Sequence, residues 1–239
     1  MSEQVLDPSY NRAMVVVAHA DDAEYGCSGT VAKWCKQGWE VVYVLCTDGS
    51  KGTADPGMTS DKLVAIRREE QIKAGKILGL HKVEFLNYPD SFLTPSLELR
   101  KDIVKAIRLH KPDVLITTDP RRNLDETTYI GHPDHHAAGE AALSAVFPSA
   151  RDRLTYPDLI DQGLEPHHVS EAWVMFGGQN ANRHVELTEE DVDRSIAALQ
   201  AHRSQVPMDV GERVREWKAR STEKTGFKYA ESFRVFALR

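Results

Sequence analysis

Cysteine is scarce in this 239-residue chain. Cys27, Cys35 and Cys46 are odd in number and lack C-x-x-C spacing, so they build neither a disulfide framework nor a thiolate-rich metal site and read as small core hydrophobes. A basic surplus is absent as well: 30 Lys and Arg stand against 36 Asp and Glu, a formal net charge of −6, which disfavours general binding to a nucleic-acid backbone. Apolar runs such as Met14 to Ala18 are far too short to span a bilayer, and the polar start from Met1 to Arg12 has no apolar leader core. These absences predict a soluble, cytoplasmic protein with neither nucleic acid nor membrane as partner. No linker and no internal repeat interrupts the chain, so residues 1–239 read as one domain, long enough for a full core.

What is present is an alternation of strands and helices. Met14 to Ala18, Glu40 to Thr47, Lys82 to Leu86, Asp113 to Thr117 and Glu171 to Phe176 read as strands, the central ones in continuous apolar, β-branched runs. Between them the pattern predicts helices over Glu24 to Gln37, closed by Gly38, from Ser60 or Asp61 to Leu78, stopped by Gly79, and over Leu97 to His110. An Ala-rich helix runs through Ala137 to Val146, and Thr188 with Asp191 opens another over Glu189 to Ala201. The segment after Gly211 predicts one more helix and a short strand, Phe233 to Ala237. The expected fold class is α/β: a Rossmann-like, doubly wound, mostly parallel sheet with helices on both faces. In the common order strands one and four are neighbours at the switch point, which places the turn at His19 beside the long loop from Thr118 to Gly131.

Ten histidines are many for this length, and their placement matters more than their number. The turn after strand one carries His19-Ala20-Asp21-Asp22 in place of G-x-G-x-x-G, so no pyrophosphate cradle forms there. Two adjacent carboxylates beside an imidazole attract a cation, because like charges held together raise each other's pKa unless a metal neutralises them. The second cluster, His132-Pro133-Asp134-His135-His136, offers one or two imidazoles at a helix start where Pro133 fits the first turn. Two histidines with one aspartate make the three-ligand set of a catalytic zinc site that keeps a position for water. A free carboxylate alongside would be the general base, and a further histidine, His132 or His136, would stabilise an oxyanion. One Zn2+ per chain is expected, and Fe2+ is compatible with the same ligands.

These motifs resemble the LmbE-like, or PIG-L, N-acetylglucosaminyl deacetylases, a family of zinc hydrolases. AHADDAEYGCSGT is similar to the family's AHPDD start, GHPDHHAAGEAAL to its HPDH motif, AIRREEQIKAGKILGL to its R-x-x-E helix, and LNYPD to the loop after strand three. SEAWVMF, ALQAHRSQV and YAESFRVF extend the likeness over nearly the whole chain. The resemblance implies His19, Asp22 and His135 as zinc ligands, Asp21 as general base, His132 as stabiliser of the tetrahedral intermediate, and Asp134 as a residue that orients or tunes an imidazole in the catalytic group. It also implies that Arg67 and Asp90 contact the sugar. Two departures stand out: Ala20 replaces the proline of AHPDD, and Ile130 stands where some members place a tyrosine, which leaves Tyr129 as its candidate substitute.

The implied function is removal of an N-acyl group, most often acetyl, from a small amino-sugar substrate. Amidase action on a larger sugar-thiol conjugate, a metal-dependent sugar-binding module without turnover, and two-metal phosphoester hydrolysis fit parts of the same pattern. Homo-oligomer formation is compatible with it. Several of the residues also have ordinary explanations: Asp21 or Asp22 as a helix cap, Arg67 with Glu70 as a surface ion pair, Asp90 as a turn residue, His167 and His168 in a solvated loop, and His202 as a structural residue. The DGSKGT stretch, Asp48 to Thr53, lacks phosphate-loop spacing and reads as a loop lining the site.

Overall fold

The computed structural model describes residues 6–125, 127–175, 180–222 and 225–238. Strands β1 (Arg12–Val17), β2 (Glu40–Thr47), β3 (Lys82–Tyr88), β4 (Val114–Thr117) and β5 (Glu171–Met175) are parallel, while β6 (Arg183–Leu187) pairs antiparallel with β7 (Tyr229–Ala237) and β7 antiparallel with β5. The order across the seven-stranded sheet is β3-β2-β1-β4-β5-β7-β6. The sheet is thus mostly parallel, as expected, and closes with an antiparallel edge.

The apolar runs of the central strands are continuous because both faces are covered. In β1, Ala13, Val15 and Val17 enter one core while Met14 and Val16 enter the other, and β2 alternates in the same way with Val41, Tyr43 and Leu45 against Val42, Val44 and Cys46. The first core is closed by helices α2 (Ser28–Lys36), α3 (Ser60–Leu78) and α7 (Glu189–Leu199), and the second by α4 (Leu97–His110), α5 (Pro133–Ser144) and the short α6 (Pro157–Asp161). Cys27 and Cys46 are buried in these cores and Cys35 is half-buried, all as free thiols.

Several boundaries differ from the sequence expectation for local reasons. The single helix expected over Glu24 to Gln37 is two, α1 (Asp22–Gly26) and α2, broken at Cys27, whose φ of −148° and ψ of 8° are not helical. The start of α2 is satisfied by a distant group: the Glu231 carboxylate on β7 accepts from Gly29 N at 2.9 Å and Thr30 N at 2.7 Å and pairs with buried Lys218. Strand β6 was not expected, because only Val185 and Leu187 of its five residues face the core. The final strand begins at Tyr229, four residues before Phe233. Phe176, the expected end of strand five, lies outside the described residues. By contrast α3, α4 and the capping box of Thr188 with Asp191 fall where the periodicity and end signals place them.

Pairing of Val16 with Thr117 sets β1 and β4 side by side. The chain leaving β1 at Ala18 and the chain leaving β4 at Thr118 therefore emerge together at the carboxyl edge, where the order of strands reverses and ligands bind in folds of this kind. A further tie fixes the second loop: Thr118 Oγ1 donates to the carbonyl of His135 at 2.6 Å.

Candidate metal-binding and active site

Both histidine clusters meet at this edge. His19 Nδ1 lies 3.3 Å from His135 Nε2 and 3.5 Å from Asp22 Oδ2, while Asp22 Oδ1 lies 3.0 Å from His135 Nε2. The other ring nitrogen of His19 faces two carboxylates, Asp134 Oδ2 at 3.2 Å and Asp90 Oδ1 at 3.3 Å. Nε2 therefore carries a proton toward these carboxylates, and Nδ1 is the nitrogen that faces His135 and Asp22. A carboxylate behind a ligating imidazole is the usual way its tautomer and orientation are fixed.

Asp134 is fully buried, and its carboxylate also accepts from Ser91 N at 2.7 Å and Leu93 N at 3.2 Å. It therefore sits behind His19 and away from open space. His132 is the N-cap of α5, a role absent from the sequence expectation: its Nδ1 accepts from Asp134 N at 3.2 Å, so its proton resides on Nε2. Its ring stands 4.7 Å from that of His19 and 5.4 Å from that of His135.

Charge is concentrated here. Burial opposes a charge on His19, but the hydrogen bonds to Asp134, Asp22 and Asp90 outweigh it and lift the imidazole to about 12, so the carboxylates demand a positive charge among them. Burial would raise Asp22, yet His135 and His19 hold it well below the usual carboxylate range. Burial, and next the Asp22 charge, raise Asp21 to about 7 against the pull of Arg67 and His202. His132 is lowered by burial and by His19.

Asp21 occupies the N-cap position of α1 but makes no side-chain capping bond, and its φ of 91° is rare for a residue with a side chain. Asp22 Oδ2 accepts from His19 N at 2.8 Å, within the turn itself. Arg67 is not paired with Glu70: it is 5% exposed and donates to the carbonyls of Ala20, Gly49 and Lys51 at 3.0, 3.3 and 3.3 Å. Glu70 instead accepts from Ser204 N and Oγ. Asp90 is buried, accepts from Lys51 N at 3.1 Å and lies 3.6 Å from Arg67. The DGSKGT loop is thereby tied to the floor of the site. His167 is half-buried and bonded to the Pro112 carbonyl at 2.8 Å, a correction to its expected solvation, whereas His168 is exposed.

Residues that the sequence did not single out complete the surroundings. Gln71 donates to Glu24 at 2.9 Å and accepts from Asp21 N at 3.4 Å, and Glu24 lies 3.5 Å from fully buried His202. Gln71 follows Arg67 by one helical turn on the same face, a spacing that was legible. A cavity of about 600 Å³ opens on Asp22 and His135 and is lined further by Tyr25, Tyr129, Trp217 and Asn123. Tyr129 thus borders the site, while Ile130 is 79% exposed. The chemistry of the donors fits a divalent cation. Imidazole nitrogens of His19, His132 and His135 fall within 4.8 Å of one another, as do ligand atoms of His19, Asp90, His132 and Asp134, and Asp22 reaches both His19 and His135.

Residues 14–146, more than half of the chain, match the family model described as "PIG-L: GlcNAc-PI de-N-acetylase". The chain belongs to the PIG-L family. It is similar to the diacetylchitobiose deacetylase of Thermococcus kodakarensis, with 33% identity over 93% of this chain and 82% of that protein. A Bacillus anthracis protein named as a probable N-acetyl-alpha-D-glucosaminyl L-malate deacetylase is 30% identical over 95% of each chain. Among solved structures, the N,N'-diacetylchitobiose deacetylase of Pyrococcus horikoshii superposes with a TM-score of 0.87 at 32% identity, covering 96% of this chain and 85% of that one. PIG-L membership thus joins a hydrolase family of amino-sugar deacetylases to the His and Asp cluster at the sheet edge.

Proposed function

We propose that this PIG-L protein is a zinc-dependent deacetylase of N-acetylated amino sugars, with His19, Asp22 and His135 as the metal ligands. The supporting observation is the convergence of these three side chains, with Asp21 next in the chain to Asp22 and with Asp22 and His135 lining an open cavity. Zinc bound there would lower the pKa of a water to about 7 and polarise the amide carbonyl. Asp21, held as a base by its raised pKa, accepts the proton of the attacking water. His132 donates from Nε2 to the oxygen that becomes negative in the tetrahedral intermediate. Asp21 then returns its proton to the departing amine. Asp134 keeps the His19 ring oriented, and Arg67 and Asp90 hold the wall on which the sugar rests.

We read residues 1–239 as a single catalytic domain, supported by the single sheet that runs from β3 to β6. Free thiols in the core suit a reducing, cytoplasmic setting, and no helix among the described residues is long and apolar enough to cross a membrane. The test is acetate release from N-acetylglucosamine and N,N'-diacetylchitobiose by zinc-loaded protein, alongside Asp21→Ala. The variant is expected to keep its zinc and lose turnover by at least about a hundredfold, the scale of general-base catalysis. Loss of zinc in parallel with activity would remove Asp21 from the role of base.

A further inference from the structure

The Asp21 side chain makes no capping hydrogen bond, and the cations that meet its charge, Arg67 and His202, act on it through space. The direction of its carboxylate is therefore set by its backbone. That backbone lies in the left-handed region, φ 91° and ψ −24°, which a residue with a Cβ keeps only where its surroundings impose it. Three hydrogen bonds impose it. Arg67 Nη2 donates to the carbonyl of Ala20 at 3.0 Å, Asp21 N donates to Gln71 Oε1 at 3.4 Å, and Tyr25 N donates to the carbonyl of Asp21 at 3.0 Å. Ala20 O and Asp21 N are the two polar ends of one planar peptide unit, so holding both stops that plane from turning. The bond from Tyr25 fixes the next plane at the start of α1. With both planes set, the φ and ψ of Asp21 are fixed, and with them the direction of its Cα–Cβ bond.

Arg67 and Gln71 stand one turn apart on α3 and are 5% and 1% exposed, so both holds on the Ala20–Asp21 peptide come from one helix face that is closed to solvent. Glu24 decides which end of the Gln71 amide faces Asp21. Its fully buried carboxylate accepts from Gln71 Nε2 at 2.9 Å, which leaves the amide oxygen for Asp21 N. The other oxygen of Glu24 lies 3.5 Å from His202 Nε2, and His202 is also fully buried. A chain of buried polar groups thus runs from the segment after α7 to the backbone of Asp21.

We propose that Gln71 is a positioning residue for the hydrolytic step: with Arg67 it clamps the Ala20–Asp21 peptide and so aims the Asp21 carboxylate, while Glu24 and His202 hold Gln71 in register; this rests on Asp21 as the base of the deacetylase assignment above. Without the clamp the Ala20–Asp21 plane is free to turn, Asp21 relaxes toward negative φ, and its carboxylate no longer points at the attacking water. Asp22 keeps its own bond to His19 N at 2.8 Å, so the metal ligands stay in place.

The experiment measures kcat and KM for acetate release from N-acetylglucosamine and N,N'-diacetylchitobiose, together with zinc content, for the zinc-loaded full chain and for Gln71→Met, each with and without Asp21→Ala. Gln71→Met keeps the length of the side chain and removes its amide. It is expected to lower kcat by about 10–100-fold, the scale of a small misplacement of a reacting group, while KM and zinc content stay within about twofold. In the Asp21→Ala background the same substitution is expected to change the residual rate by less than about twofold, because no carboxylate is left to aim. Gln71→Asn, one methylene too short to reach both partners, gives the same pattern should Gln71→Met fail to fold. An unchanged kcat, an equal fall in both backgrounds, or a fall that follows lost zinc or raised KM overturns the clamp while the deacetylase assignment stands. Full activity in Asp21→Ala, or no acetate from the unsubstituted chain, overturns both.

Discussion

Replacing Asp134 with Asn removes one charge and one acceptor from behind His19 while keeping the size of the side chain. Asp134 Oδ2 serves both Ser91 N at 2.7 Å and His19 Nε2 at 3.2 Å, whereas Oδ1 serves only Leu93 N at 3.2 Å. The amide therefore settles with its oxygen toward His19 and its NH2 toward Leu93, the orientation that opposes fewer donors. Two consequences follow from that geometry. The buried Leu93 N–H loses its partner, which costs about 1–3 kcal/mol, and at about 2–4 °C per kcal/mol for a chain of this size Tm falls by roughly 2–12 °C. His19 keeps a hydrogen bond but loses the negative charge that strengthens its donation to a metal, and loss of an outer partner weakens metal affinity by about 10–100-fold. Asp90 Oδ1, 3.3 Å from the same nitrogen, partly compensates, so Asp134→Asn belongs at the tenfold end and the double variant Asp90→Asn, Asp134→Asn toward the hundredfold end. Competition for zinc against a chromophoric chelator reads the affinities directly, and thermal unfolding of the zinc-free proteins reads the stability. Unchanged zinc affinity in the double variant would refute the placement of these carboxylates behind a ligand.

With Asp21 as the proposed base, the acid limb of kcat/KM is expected to report it. Its carboxyl is raised by burial and by Asp22, and catalysis needs the ionised form, so activity falls as pH drops through a midpoint no higher than about 7, since a bound cation pulls the midpoint down. An acid limb with a midpoint above about 7, or a kcat/KM that rises as pH falls, excludes Asp21 as the base. Gly139→Ala tests the coupling between fold and site: a Cβ there would stand 2.3 Å from the Thr118 carbonyl oxygen, and the same loop holds the His135 carbonyl through Thr118 Oγ1. Shifting α5 to relieve that overlap is expected to destabilise by about 1–3 kcal/mol and to reduce bound zinc, measured together by thermal unfolding and metal analysis. Full zinc content at a lowered Tm would show that α5 adjusts without disturbing His135.

Much of the site was legible because its ingredients are local. HADD and HPDHH put imidazoles and carboxylates within a few residues of each other, and two apolar strands ahead of them predict adjacency at the switch point. The division of labour within the clusters was not local. Asp134 faces His19 only because α5 begins at Pro133 and the Ser91 to Leu93 backbone closes over it. Arg67 reads as half of a surface pair until the chain folds three carbonyls around it, and His132 becomes a cap only when the helix starts at the next residue.

Composition, periodicity and motif spacing by themselves determined the α/β class, the alternation of elements and the two clusters, since each depends on side-chain chemistry over a few turns of chain. Tertiary structure alone decided what separate segments do to one another. It broke the first helix at Cys27 and satisfied the new helix start with Glu231, more than two hundred residues away in sequence. It set two carboxylates behind His19 and gathered Tyr25, Tyr129 and Trp217 around one cavity. The reason is physical: a hydrogen bond or a shared wall between remote residues is fixed by the register of strands and the seating of helices, and no short stretch of sequence carries that register.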